Sequence, residues 1–148
     1  MQMSQPKSPT EDRFGVKPAE GYAGDVTPEQ AALWMTNGEA VLVDVRSDAE
    51  REWVGYVPGA AGVAWKQWPG MAFNPDFDQA LCAAVPPGKK AVLLCRSGVR
   101  SISAAKRATE LGIQAYNILE GFEGDPDEQG HRNKKGGWRL RGLPWKQN

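Results

Sequence analysis

Apolar residues recur along this chain in two alternating periods. Val41-Leu42-Val43-Asp44-Val45, Ala61-Gly62-Val63-Ala64-Trp65, Ala91-Val92-Leu93-Leu94 and the stretch from Gln114 to Leu119 are short apolar runs. Such runs read as strands buried on both faces. Helical patterns stand between them. Thr27-Pro28-Glu29-Gln30 supplies a hydroxyl N-cap, a proline at the first helical position and a Gln three residues past the cap, predicting a helix through Met35 that ends before Asn37-Gly38. Ser47-Asp48-Ala49-Glu50 starts a shorter helix that Gly55 interrupts. Phe77, Ala80, Leu81 and Ala84 mark a helix within Pro75 to Val85 that Pro86-Pro87-Gly88 stops, and Ile102, Ala105, Ala108 and Leu111 mark one closed by Gly112.

Strands alternating with helices imply an α/β fold with a mainly parallel central sheet flanked by helices on both faces, because parallel neighbours need crossover connections. Residues 1–20, rich in Pro, Ser, Lys and Glu, read as a flexible leader, and 21–148 as the domain. The turn-rich stretch from Gly124 to Gly130 and the polar His131 to Lys135 predict an exposed loop. The segment from Gly137 to Trp145 carries two tryptophans and is expected to pack back onto the domain.

A chain of 148 residues has room for one core. Lys plus Arg and Asp plus Glu each count 18, so bulk charge recruits neither nucleic acid nor an anionic membrane. The first 18 residues lack the apolar core of a signal peptide and no later stretch has the length of a membrane span, which places the expected location in the cytoplasm. Two cysteines cannot build a disulfide scaffold, and with one histidine they make a dedicated metal site improbable; neither metal nor cofactor is expected.

The candidate chemistry lies at Cys95, which ends an apolar run and is followed by Arg96-Ser97-Gly98-Val99-Arg100-Ser101 leading into a helix. Open α/β sheets bind their ligands at such strand ends. A tight Gly-containing loop and a helix N-terminus can converge several N–H groups on one anionic atom, and such surroundings with neighbouring arginines stabilise thiolates. The alternative, an inert buried cysteine, leaves the two arginines and the glycine without a reason, so Cys95 is expected to be a nucleophile. Cys82, beside Leu81 and Ala84, reads as a small core filler, and His131 as solvated. Asp44 and Arg46 read as a structural pair at a strand end. Trp65, Trp68, Met71 and Phe73 fit the core and the pocket rim equally well.

The segment Cys95-Arg96-Ser97-Gly98-Val99-Arg100-Ser101 resembles the active-site loop of rhodanese domains. Leu42 to Arg46, Glu52 to Ala60 and Tyr116 to Phe122 resemble that family's other signatures in matching order, and Trp138 to Trp145 is similar to bacterial single-domain members. The resemblance implies a sulfurtransferase. Cys95 takes the outer sulfur of thiosulfate or a comparable small anionic donor as a persulfide, then yields it to a thiol, cyanide or protein acceptor. Arg96 and Arg100 would orient the donor, with Arg100 the preferred bidentate partner. N–H groups from Arg96 to Ser101, including those of Gly98 and Val99, would cradle the terminal sulfur, with hydroxyls from Ser97 and Ser101. Tyr56 stands where many members carry a histidine, which weakens any catalytic role there. Two rivals remain: a cysteine-dependent phosphatase of the related dual-specificity cell-cycle type, and a non-catalytic recognition module. Such phosphatases place five residues between Cys and Arg; here Arg96, Ser97, Gly98 and Val99 make four.

Overall fold

The structure, a computed structural model, describes residues 14–147; residues 1–13 of the expected leader and Asn148 lie outside them. Twelve short elements follow in order: β1 (Val16–Lys17), β2 (Gly24–Val26), α1 (Pro28–Thr36), β3 (Ala40–Asp44), α2 (Asp48–Trp53), β4 (Ala61–Gly62), β5 (Lys66–Gln67), β6 (Ala72–Phe73), α3 (Phe77–Ala84), β7 (Lys90–Leu94), α4 (Arg100–Glu110) and β8 (Ala115–Ile118). Six strands form one sheet in the order β1-β2-β8-β7-β3-β4, and every pairing in it is parallel except β1 with β2.

Side chains alternate across this sheet, as the pleat requires. Val43 and Val45, with Ala91, Leu93 and Cys95, face a core that includes Phe77 and Leu81 of α3 and Ala104, Ala105 and Ala108 of α4. Leu42, Val92, Leu94 and Ile118 face the other core, closed by Trp34 of α1, Phe122 and Trp138. Three small alanines on α4 let that helix approach the sheet closely, which carries its N-terminus onto the end of β7. The predicted mainly parallel sheet with helices on both faces is therefore observed. Among the described residues no helix is long and apolar enough to cross a membrane.

The start signals of α1 and α2 hold in detail. The Thr27 hydroxyl accepts from Gln30 N at 3.1 Å. Ser47 and Glu50 form a reciprocal capping box at α2.

Some expectations are corrected. Val16–Lys17 pairs with β2, so part of the expected leader belongs to the sheet. The strand expected through Trp65 is only Ala61–Gly62, because its partner β3 ends at Asp44 and turns toward α2. Two further bonds, Val63 N to Asp44 O and Trp65 N to Val45 O, both 3.0 Å, finish the association. Beyond it, β5 and β6 form a separate antiparallel hairpin. Cys82 is exposed rather than a core filler: Leu81 takes the buried position of α3, and the next residue lies about 100° around the helix. Trp138 is buried and donates from Nε1 to Pro144 O at 2.8 Å, so the C-terminal segment packs on the domain as expected.

Candidate active site

After β3 the chain continues to β4 on one side, and after β7 it continues to β8 on the other. The gap between β3 and β7 is thus the topological switch point, where open α/β sheets leave a crevice beyond their C-terminal strand ends. Cys95 is the first residue past β7 and is 1% exposed. Its Sγ accepts the Gly98 N–H at 3.1 Å and lies 3.2 Å from Ser101 Oγ.

Two glycines permit this geometry. Gly98 has φ +99°, a left-handed value disfavoured for side-chain-bearing residues, and this turn aims its N–H at the sulfur. Gly121, at φ +63°, lies so close beneath the loop that a Cβ would sit 2.5 Å from Cys95 O. That approach lets Phe122 N reach Cys95 O at 2.8 Å and Glu123 N reach Arg96 O at 2.9 Å, tying the loop to the segment after β8.

Behind the sulfur runs a hydrogen-bond relay that residue-by-residue reading missed. Asn117 Nδ2 donates to Asp25 Oδ1 at 3.0 Å, and Tyr22 donates to the same oxygen at 2.8 Å. The carboxylate can only accept, so it fixes the amide with its oxygen toward Ser101, whose hydroxyl donates to it. With its one proton directed to Asn117, Ser101 presents an oxygen lone pair, rather than the expected hydroxyl donor, to Cys95 Sγ at 3.2 Å. Burial first, then the Asp25 bond and charge, push the Tyr22 hydroxyl up to about 12. One signal was present: Asn117 is a polar residue inside a strand buried on both faces, and such a group demands a partner. Asn117→Ala strands the buried Ser101 hydroxyl, so it is expected to destabilise the fold by about 1–3 kcal/mol. A denaturant midpoint equal to wild type would contradict the relay.

The two arginines divide differently from expectation. Arg100 Nη1 and Nη2 donate to Glu50 Oε1 and Oε2 at 2.7 and 2.8 Å, so the fork expected to hold the donor is engaged with α2. Arg96 is exposed and without an ion-pair partner among the described residues. Burial works against the Glu50 charge, but the Arg100 bonds and attraction together with the Ser47 bonds outweigh it and hold the carboxyl down at about 2. The same pair raises Arg100 further above its ordinary value. A carboxyl depressed when folded contributes stability above its unfolded value of 4.5, and that contribution fades as pH falls toward about 2. The stability difference between wild type and Glu50→Gln should therefore be full above about pH 4.5 and vanish near pH 2. Acid unfolding curves that stay separated there would contradict the assignment.

The remaining loop residues bring no side-chain hydrogen bond to Cys95. Val99 is 70% exposed, Ser97 is half-buried, and α4 starts with no side-chain cap on its first-turn N–H groups. Asp44 and Arg46 are the structural pair expected. Arg46 Nε and Nη2 bond the carboxylate at 2.9 and 2.6 Å, Nη2 also reaches Gly55 O at 2.7 Å, and both residues are fully buried. Tyr56 pairs through its backbone with Lys146, anchoring the C-terminus. His131 is exposed.

A cleft of about 500 Å³ opens beside the loop, between Glu50, Trp53 and Val54 on the β3 side and Arg96 and Arg100 on the β7 side. The four undecided residues sort cleanly. Trp65 packs edge-on between Phe73 and Phe77 at 4.5 and 4.7 Å, with Phe73 covering its outer side, whereas Trp68 and Met71 of the β5–β6 hairpin border the cleft.

Residues 27–125 match the family described as rhodanese-like domain. A crystal structure of the protein Rv0390 from M. tuberculosis is similar at 45% identity and a TM-score of 0.78, covering 86% of this chain and 99% of that one. An uncharacterized protein of Rickettsia conorii is 35% identical over 118 residues, 76% of this chain and 88% of its own. A Rhodopseudomonas palustris protein of unknown function, described as a possible tyrosine phosphatase, superposes with a TM-score of 0.54 at 26% identity, over 82% of this chain and 83% of that one.

Proposed function

The chain belongs to the rhodanese-like domain family, and on that premise we propose that it is a sulfurtransferase carrying a sulfane sulfur on Cys95. One observation carries this reading. A buried cysteine at the switch point receives a loop N–H on its sulfur at 3.1 Å, inside a ring closed by only four residues before Arg100.

The thiol proton leaves to solvent, and the Cys95 thiolate attacks the outer sulfur of thiosulfate. The S–S bond of the donor breaks and sulfite departs with the electron pair, leaving Cys95–S–S⁻. The N–H groups of the loop and the first turn of α4 then face the charged outer sulfur, where preorganised donors are most effective. Arg96 attracts the anionic donor, while the charge of Arg100 is offset by Glu50, which holds that side chain in place beside the loop. Cyanide, a thiol or a protein cysteine attacks the outer sulfur, the S–S bond to Cys95 breaks, and the thiolate returns. Free Cys82 on the surface fits a reducing, cytoplasmic setting.

Thiosulfate without acceptor should release one equivalent of sulfite and leave the protein heavier by one sulfur; cyanide should then remove that sulfur as thiocyanate. Sulfite release with no mass change would refute the covalent intermediate.

A further inference from the structure

We infer that Asn117, acting through the Ser101 hydroxyl, holds Cys95 protonated between turnovers and so sets the pH at which its sulfur becomes a nucleophile. This deepens the sulfurtransferase reading and rests on it for the role given to Cys95. Asn117 is then a positioning residue, two hydrogen bonds removed from the reacting atom.

The direction of the relay carries the argument. Asp25 can only accept, so the Asn117 N–H at 3.0 Å fixes the amide with its oxygen toward Ser101. Ser101 has a single proton, and an amide oxygen is a better acceptor than a sulfur, so that proton goes to Asn117. What Cys95 Sγ meets at 3.2 Å is then an oxygen lone pair. A thiol can donate to it, whereas a thiolate is repelled by it. Cys95, Ser101 and Asn117 are all buried, so bulk water does not screen the contact.

The charges around the sulfur give this a purpose. The Gly98 N–H at 3.1 Å and the exposed Arg96 pull Cys95 toward the thiolate. Arg100 of α4 interacts with the sulfur as well, but Glu50 of α2 offsets it. Asp44 at the end of β3 is paired with Arg46, and beyond β8 Glu120 is paired with Arg141 and Glu123 with Arg139. On the β2 side Tyr22 donates to Asp25, and α3 contributes apolar Phe77 and Leu81 to the core below. Arg96 is therefore the one loop cation left to balance an anion, and a donor arriving beside a preformed thiolate would set two like charges against each other. A thiol admits the donor first. Its proton then passes to solvent and the sulfur attacks, with sulfite leaving as above. Thiol and persulfide both carry an uncharged Sγ, so the relay suits the two resting forms of the cycle and disfavours only the free thiolate.

The rate of iodoacetamide alkylation against pH reads the state of Cys95, in a Cys82→Ser background so that one thiol reacts. Ser101→Ala removes the acceptor of the thiol proton and leaves the bond between Asp25 and Asn117 in place, so the pH midpoint should fall by about half a unit. Asn117→Leu leaves the Ser101 proton no acceptor but the sulfur, and the midpoint should fall by about one unit. With both substitutions it should match Ser101→Ala alone, because Asn117 acts only through the hydroxyl. Melting curves establish that each variant is folded, and Ser101→Ala, the smaller change, decides the sign by itself. A midpoint that rises in Ser101→Ala would show the hydroxyl donating to the sulfur and overturn the inference, as would an Asn117→Leu midpoint equal to that of the parent. The midpoints are read without a sulfur donor. A parent that takes up no sulfur from thiosulfate therefore overturns the sulfurtransferase reading, while the midpoints decide this inference separately.

Discussion

Cys95→Ser will take up no sulfur from thiosulfate and turn over none, while Cys82→Ser will behave as wild type. The contrast follows from position. Cys95 alone combines a place at the end of β7, a sulfur held under the Gly98 N–H, Arg96 as the next residue in the chain and an electrostatic interaction with Arg100. Cys82 lies exposed on α3 and faces another part of the surface, beside Pro86 and Pro87. A serine hydroxyl at position 95 would keep the hydrogen bonds to Gly98 and Ser101, so the fold should persist. It could not form the persulfide, since the step requires a sulfur nucleophile that can leave again as a thiolate. Intact-mass measurement after thiosulfate treatment reads the outcome. A sulfur adduct surviving on Cys95→Ser, or one lost in Cys82→Ser, would move the chemistry away from the loop.

Inserting one glycine between Gly98 and Val99 should lower thiosulfate turnover about a hundredfold, because a displacement of an ångström at a reacting centre costs that much. The four residues between Cys95 and Arg100 form a ring small enough for Gly98 N to reach Sγ at 3.1 Å. A fifth residue widens it toward the size that suits a tetrahedral oxyanion, so the variant should gain affinity for vanadate or tungstate relative to the parent. Melting curves establish that it folds. Full sulfurtransferase activity in a folded insertion variant would show that loop length does not set the chemistry. The likeness to the Rhodopseudomonas palustris protein described as a possible tyrosine phosphatase makes this the sharpest comparison between the two activities.

Much of this architecture was legible in the residues, and what was not has physical reasons. The apolar runs at β3, β7 and β8 and the caps at Thr27 and Ser47 are local signals, and all lie where expected. β1, β2, β5 and β6 are strands of two or three residues, too short to show a period, and they exist because a neighbour offers a ladder to pair with. Cys82 departs from the expectation because one helical step separates buried Leu81 from an exposed position. At the site, Cys95 and its loop were contiguous in the chain and readable together. Glu50 is fifty residues from the arginine it grips, and Asp25 is ninety-two from Asn117. Such pairings come from the parallel crossovers, which bring distant strand ends together at one edge of the sheet, and no local pattern encodes them. That is why Arg100 read as the free fork and Arg96 as its lesser partner, when the fold engages the first and leaves the second available.

The measurement that bears most directly on the central claim compares two reactions on the unmodified protein: sulfur transfer from thiosulfate to cyanide, and hydrolysis of a generic aryl phosphate. A ring closed by four residues around a cysteine sulfur predicts rapid thiocyanate formation, with aryl phosphate cleavage at or near background. Phosphate release outpacing thiosulfate consumption would contradict the account and put the phosphatase reading in its place.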